Sequence, residues 1–185
     1  MRKNLTMKTT LYPMPVLIVA SYDKNGNPNA MNAGWGGISG YDEITLGLAR
    51  EHKTVENILE RKAFTVSMGE LEYLKSCDYV GIVSASKEAD KMKKSGFTTT
   101  KSEFVDAPLI NELSISMECR LKSYDPKTGH MIGQIVNAGV DERILTDGKV
   151  DLSKVHVLTL DPLNYTYHVM SEPVGRAFKD GAKLK

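Results

Sequence analysis

Val16-Leu17-Ile18-Val19-Ala20, Asp23-Lys24-Asn25-Gly26-Asn27-Pro28 and Asn29-Ala30-Met31-Asn32-Ala33 follow one another in the chain, and their reading decides the fold. The apolar run comes after Pro13 and Pro15, which delay regular structure, and it reads as a strand buried on both faces. Asn-Gly between two extended runs is a strong hairpin signal, because both central positions of such a turn need positive φ. The chain is therefore expected to reverse at Asn25-Gly26, leaving Asn29–Ala33 antiparallel to Val16–Ala20. At Gly34-Trp35-Gly36-Gly37 it leaves the sheet.

Working outward, the Gly/Ser-rich segment from Gly36 to Gly40 reads as a connection. Glu43-Ile44-Thr45-Leu46-Gly47-Leu48-Ala49 then alternates, with Ile44, Leu46 and Leu48 on one face and Thr45, Gly47 and Ala49 on the other. A face of small residues leaves room for a flat molecule, and close packing against another strand would satisfy the same pattern. Thr54 suits the N-cap of a helix carrying Val55, Ile58 and Leu59. A strand over Ala63–Met68 and a short helix around Leu71 and Leu74 are expected next. Ser84 to Met92 reads as a serine-capped helix closed by Gly96. Phe97 to Glu112 reads as an irregular excursion with a stop at Pro108.

Ile115, Met117, Cys119 and Leu121 alternate with Ser116, Glu118, Arg120 and Lys122, a half-exposed strand. After a turn at Asp125-Pro126-Lys127-Thr128-Gly129, His130–Val140 returns as its partner. Asp147-Gly148 marks a further turn, and Val155–Leu158 and Tyr165–Val169 are extended. Strands joined by hairpins, with no regular strand–helix alternation and no Gly-x-Gly-x-x-Gly, argue against a dinucleotide-binding parallel sheet. They point to one mainly β domain over residues 1–185, an antiparallel barrel with a few peripheral helices.

Composition limits the partners. The chain has 185 residues and a net charge of +1, from 24 basic and 23 acidic side chains. That balance gives no electrostatic footprint for nucleic acid or an anionic membrane surface. Cys77 and Cys119 lack metal-ligand spacing, and the histidines suggest no metal centre, so reduced buried thiols are expected. No apolar run reaches membrane-spanning length, and no signal-type segment opens the sequence, so a cytoplasmic protein is expected.

The chemistry-bearing groups are few. Arg50, Lys53 and Thr54 put two cations and a hydroxyl at a helix start, where free backbone N–H groups add to the attraction for an anion. Lys91 is a candidate to converge on the same anion. Trp35, the only tryptophan, sits among glycines, as would a wall for a ring or a plug for a barrel end. Asn29 and Asn32 can hydrogen-bond the polar edge of a heterocycle, and both also suit turns. His130 follows a turn. No nucleophile–base pattern is present, so catalysis would have to be carried by a cofactor.

In that order the residues resemble the flavin reductase-like, FMN-binding split-barrel proteins, flavoredoxin type. The resemblance rests on Pro15–Val19, Asn29–Trp35, Leu48-Ala49-Arg50 with Lys53–Ile58, Ala89-Asp90-Lys91, Ala107–Ile110, Met117-Glu118-Cys119, Gly129-His130 and Glu172–Gly175. It implies a six-stranded antiparallel Greek-key split barrel that forms a homodimer with FMN at the subunit interface. It implies that the ring lies against Asn29, Met31, Asn32, Ala33, Gly34 and Trp35. The phosphate would lie near Leu48, Ala49, Arg50, Lys53, Thr54 and Lys91. His130 would stand where NADH or NADPH approaches the flavin. Met31-Asn32 and Trp35-Gly36-Gly37 depart from the Ala-Pro and Trp-Phe of many flavin reductases. The expected activity is an FMN-dependent oxidoreductase passing electrons from NAD(P)H to an acceptor. The alternative is an FMN electron carrier reduced by a redox protein partner.

Overall fold

The computed structural model describes residues 1–6, 8–170 and 172–184. β1 (Met14–Pro15), β2 (Leu17–Tyr22), β3 (Pro28–Ala33), β4 (Gly36–Gly40) and β5 (Glu43–Gly47) lead into α1 (Lys53–Arg61) and β6 (Ala63–Met68). Two more helices, α2 (Leu74–Ile82) and α3 (Lys91–Ser95), precede a small hairpin, β7 (Thr99–Lys101) and β8 (Pro108–Ile110). The long strands β9 (Ile115–Asp125) and β10 (His130–Val140) follow. The short pairs β11 (Leu145–Thr146) with β12 (Lys149–Val150), and β13 (Leu158–Asp161) with β14 (Thr166–Val169), come last.

The first hairpin forms as expected, with Leu17 opposite Ala33 and Tyr22 opposite Pro28. Its turn differs from the expected one. Only Gly26 has positive φ, at 84°. The Asp23 carboxylate closes the loop instead, accepting from the backbone N–H of Asn25 and of Asn27, both at 2.8 Å.

The main sheet is antiparallel, with strand order β3-β2-β6-β9-β10-β5-β4. It has seven strands rather than six, because Gly36–Gly40 is strand β4 and not a connection. These glycines answer to packing: a Cβ on Gly36 would lie 2.6 Å from Leu46 Cδ2 and 3.0 Å from Leu17 Cδ1. β3 and β4 are the two outer edges of the sheet, yet only Gly34 and Trp35 separate them in sequence. That short link reaches on the order of 10 Å. The sheet must therefore curl until its edges nearly meet, which makes it a split barrel with its seam at Gly34-Trp35.

Inside the barrel lie Leu17, Val19, Ile44, Leu46, Phe64, Val66, Cys119 and Met131. Phe64 occupies the space that Gly133 leaves open. On the outer face, Val16, Ile18, Ala20 and Ala30 pack against Cys77 and Val80 of α2 and against Phe97, Ile110 and Leu158. β2 is thus buried on both faces, as its uninterrupted apolar run requires. Each large side chain so buried contributes about 1.5–3 kcal/mol.

Helix boundaries shift from the expected ones. α1 begins at Lys53 with His52 as N-cap, so Thr54 lies inside the first turn. Ser84–Asp90 forms turns, and the helix itself covers only Lys91–Ser95, closed by Gly96 at φ 77°. Part of the expected irregular excursion is the β7–β8 hairpin, with Pro108 inside a strand. Val155 to Val157 precede β13 rather than forming a strand. Among the described residues, no helix is long and apolar enough to cross a membrane, and no group of three or more His, Cys, Asp or Glu could hold a metal ion.

Candidate functional site

Two clefts flank the start of α1. The smaller, about 230 Å³, lies between β3, the first turn of α1, the end of α2 and Lys91. Strand alternation puts Asn29 and Met31 on the same face of β3, and both line it. Asn29 Nδ2 donates to Thr54 Oγ1 at 2.8 Å. Thr54 accepts that bond, so its own hydroxyl proton is left to give. Asn29 Oδ1 is buried with no partner, a state that costs free energy until something donates to it.

Lys91 dominates the electrostatics of this cleft. Its residue is 3% exposed, and Nζ donates to the Ala30 carbonyl at 2.6 Å on the outer edge of β3. Among the described residues no carboxylate answers the charge, and burial pushes the ammonium down to about 8. A buried cation balanced only by a carbonyl is costly, and an incoming anion would relieve it. Lys53 stands at the mouth, 2.5 Å from Glu56 in a pair that is partly exposed, and such pairs hold little energy. The backbone N–H groups of the first turn of α1 add to the field for an anion.

The larger cleft, about 790 Å³, lies on the other side of α1, between the barrel seam and the Asp125–Gly129 turn. Thr45, Gly47 and Ala49 line it, so the small-residue face read from the sequence faces open space. Trp35 forms a wall and is 56% exposed. Arg50, Lys127 and His130 stand around it. Four bonds set this rim. Leu48 N donates to Gly129 O at 2.8 Å, and Tyr124 Oη donates to Leu48 O at 3.0 Å. The Asp125 carboxylate accepts from Lys127 N at 2.8 Å and Thr128 Oγ1 at 3.0 Å. Those two bonds hold Asp125 below the usual carboxylate range.

The expected site residues therefore divide. Asn29, Met31, Lys53, Thr54 and Lys91 converge on the smaller cleft, and Trp35, Leu48, Ala49, Arg50 and His130 line the larger. The Leu48 side chain itself is in the core. Asn32 turns to the opposite face of β3 and donates to the Cys77 carbonyl at 3.1 Å. Ala33 is buried in the barrel interior, and Gly34 packs against Leu160 and Pro15. Sequence reasoning missed Ser39 as a lining group, and also Lys127 and Thr128. Their signal was the turn Asp125–Gly129 ending beside a candidate histidine. Cys77 and Cys119 are buried and unpaired, and burial pushes their thiols up to about 11 and about 12. Such thiols stay protonated and unreactive at neutral pH.

A barrel with its edges joined at a tryptophan, and basic clefts beside that joint, defines a class that sequence comparison identifies. Residues 7–168 match the flavin reductase like domain, and the chain belongs to that family. Among solved structures it is similar to flavoredoxin of Desulfovibrio vulgaris (Miyazaki F), with 35% identity and a TM-score of 0.92 over 98% of this chain and 100% of that one. Flavoredoxin from Methanosarcina acetivorans shares 27% identity at a TM-score of 0.88, with 100% of both chains covered. These likenesses bear out the flavoredoxin-type resemblance read from the motifs. A protein of Aquifex aeolicus (strain VF5) is 33% identical over 112 residues, which is 60% of this chain and 54% of that protein. The chain thus spans about half the length of that relative.

Proposed function

We propose that the chain binds FMN and acts as a flavin-dependent oxidoreductase, taking electrons from NADH or NADPH and passing them to an acceptor. The observation that carries the reading is Lys91, a buried ammonium without an acidic partner in a cleft that also holds the unpartnered Asn29 Oδ1. A phosphate fits that donor set. Lys91 and Lys53 supply charge, the Thr54 hydroxyl a proton, and the first turn of α1 its N–H groups. Bound FMN would supply hydride and single-electron chemistry that no side chain of this site can perform. The protein's part is to hold and orient it. Met31 offers an adaptable apolar contact, Trp35 a flat wall, and Ala49 and Gly47 a floor that does not obstruct a ring.

A cleft of about 230 Å³ falls below the range of roughly 300–1,000 Å³ usual for a whole ligand, so part of the cofactor needs another wall. Trp35, Ile38 and Tyr41, exposed by 56%, 64% and 106%, form an apolar edge along β4 and just beyond it. A second copy of the chain covering that edge would supply the wall, which supports a homodimer with FMN at the interface.

The test is anaerobic. Adding NADH or NADPH to the yellow protein is expected to bleach its flavin absorbance. A second reading keeps FMN but takes electrons from a reduced redox protein, and the exposed Arg50 and Lys127 beside Trp35 are what an acidic partner would meet. Bleaching by a ferredoxin-like donor and by neither nicotinamide would select it. A colourless protein that takes up no FMN would end both readings.

A further inference from the structure

The proposed phosphate needs the Thr54 hydroxyl proton, and that proton is free only while the Asn29 amide faces one way. Asn29 Nδ2 donates to Thr54 Oγ1. Turned over, the same amide would present its oxygen and take the proton for itself. What fixes the amide lies behind it, between α1 and the β2–β3 hairpin. Thr54, Asn57 and Arg61 share one face of α1, at i, i+3 and i+7. The first and last bind the hairpin, Thr54 at Asn29 and Arg61 through Nη2 to the Asp23 carbonyl at 2.7 Å. Asn57 is therefore held over the strands between those two points. Ser21 stands opposite Asn29 in the β2–β3 register, so both side chains lie on the same face of the sheet. It is the face on which Val19 enters the core with Val55 and Ile58 of α1. Ser21, Asn29 and Asn57 are 0%, 4% and 1% exposed. Among the described residues, Ser21 Oγ, Asn29 Oδ1 and Asn57 Nδ2 have no hydrogen-bond partner. A buried polar atom without a partner costs free energy, and three at one interface require a shared one.

That partner must accept from the Asn57 amide N–H and donate to the Asn29 amide oxygen. A cation cannot accept, and a phosphate monoester, at roughly −1.5 to −2 near neutral pH, has little proton left to give. Water does both, with a second proton for Ser21 Oγ, and three bonds are typical of a buried water. We propose that α1 and the β2–β3 hairpin enclose a water site held by Ser21, Asn29 and Asn57. Asn57 is the positioning residue. Its N–H orients the water, the water donates to Asn29 Oδ1, and the amide is thereby held with Nδ2 toward Thr54. That role rests on the reading above that Thr54 serves a phosphate. Riboflavin shares the ring and ribityl chain of FMN, so loosened packing weakens both flavins, whereas a lost Thr54 donor weakens FMN alone.

Asn57→Leu and Ser21→Ala test this, since neither residue lines the cleft itself. Magnetic relaxation dispersion of the solvent, recorded on the flavin-free protein, counts long-lived internal waters, and Asn57→Leu is expected to lose one. In titrations with both flavins, Asn57→Leu should weaken FMN about five- to tenfold and riboflavin by less than about twofold. Ser21→Ala leaves two of the water's three partners and should weaken FMN about two- to threefold. An unchanged water count in Asn57→Leu, or equal weakening of the two flavins, would overturn the proposal. Should Asn57→Leu fail to fold, full FMN affinity in Ser21→Ala would do the same. A lost water with the FMN preference intact would overturn the positioning role and leave the phosphate reading untouched. If the unchanged protein binds both flavins alike, the phosphate reading and the positioning role fall together, and a water lost from Asn57→Leu still upholds the site.

Discussion

Lys91 places an ammonium where only the Ala30 carbonyl meets it, and its titration sets two expectations. Its folded value of about 8 lies below the ordinary 10.5, because burial disfavours the charged form. The unfolded chain therefore binds the proton more tightly between those values. Stability of the ligand-free protein should rise with pH across that window, and the cost should be fully present below about 8. FMN affinity should move the other way, weakening by up to about tenfold per pH unit above that point, as a titration series in buffers of rising pH would show. Lys91→Met removes the buried charge. It is expected to raise the ligand-free melting temperature while removing a charge-assisted bond of about 1.5–3 kcal/mol, a loss of roughly 10- to 100-fold in FMN affinity. Unchanged affinity would put the phosphate elsewhere. Lys91 could be named from the sequence as a candidate, but its burial and lack of an acidic partner could not. Those depend on α3 folding back over the edge of β3, a contact between residues 61 positions apart.

At the scale of elements, the β4 seam is the feature local pattern could not reveal. Asn25-Gly26 announced the β2–β3 hairpin, and alternation announced β5, β9 and β10, because each signal lies within a few residues. Gly36–Gly40 carries a turn-like composition, and its strand conformation comes from pairing with β5. The structure separates the glycines by what a side chain would meet. Gly36→Ala drives a Cβ to within 2.6 Å of Leu46 Cδ2, and a melt should show a loss of about 1–3 kcal/mol. Gly37→Ala meets nothing within 4 Å and should stay within about 0.5 kcal/mol of the parent. Equal effects would mean the seam is not closed as described. Gly129→Ala needs positive φ and crowds Leu48 O. It should cost at least about 1–2 kcal/mol and loosen the turn that carries Lys127.

For the molecule as a whole, the order of motifs was enough to place the chain in its family. It was not enough to show that Asn29–Trp35 serves several surfaces. Period-two alternation sends Asn29 and Met31 to one cleft and Asn32 to the other face, while the curl of the sheet buries Ala33 and carries Trp35 to the seam. The exposed edge of Trp35, Ile38 and Tyr41 predicts a dimer by light scattering. Ile38→Lys is expected to shift it toward monomer and weaken FMN retention together. The central claim, a flavin held by its phosphate, is tested most directly by titrating the flavin-free protein with FMN and with riboflavin, which lacks the phosphate. FMN should bind with a dissociation constant of about 1 μM or lower, and riboflavin at least about tenfold more weakly. Equal binding of the two flavins, or no binding of either, would contradict the account.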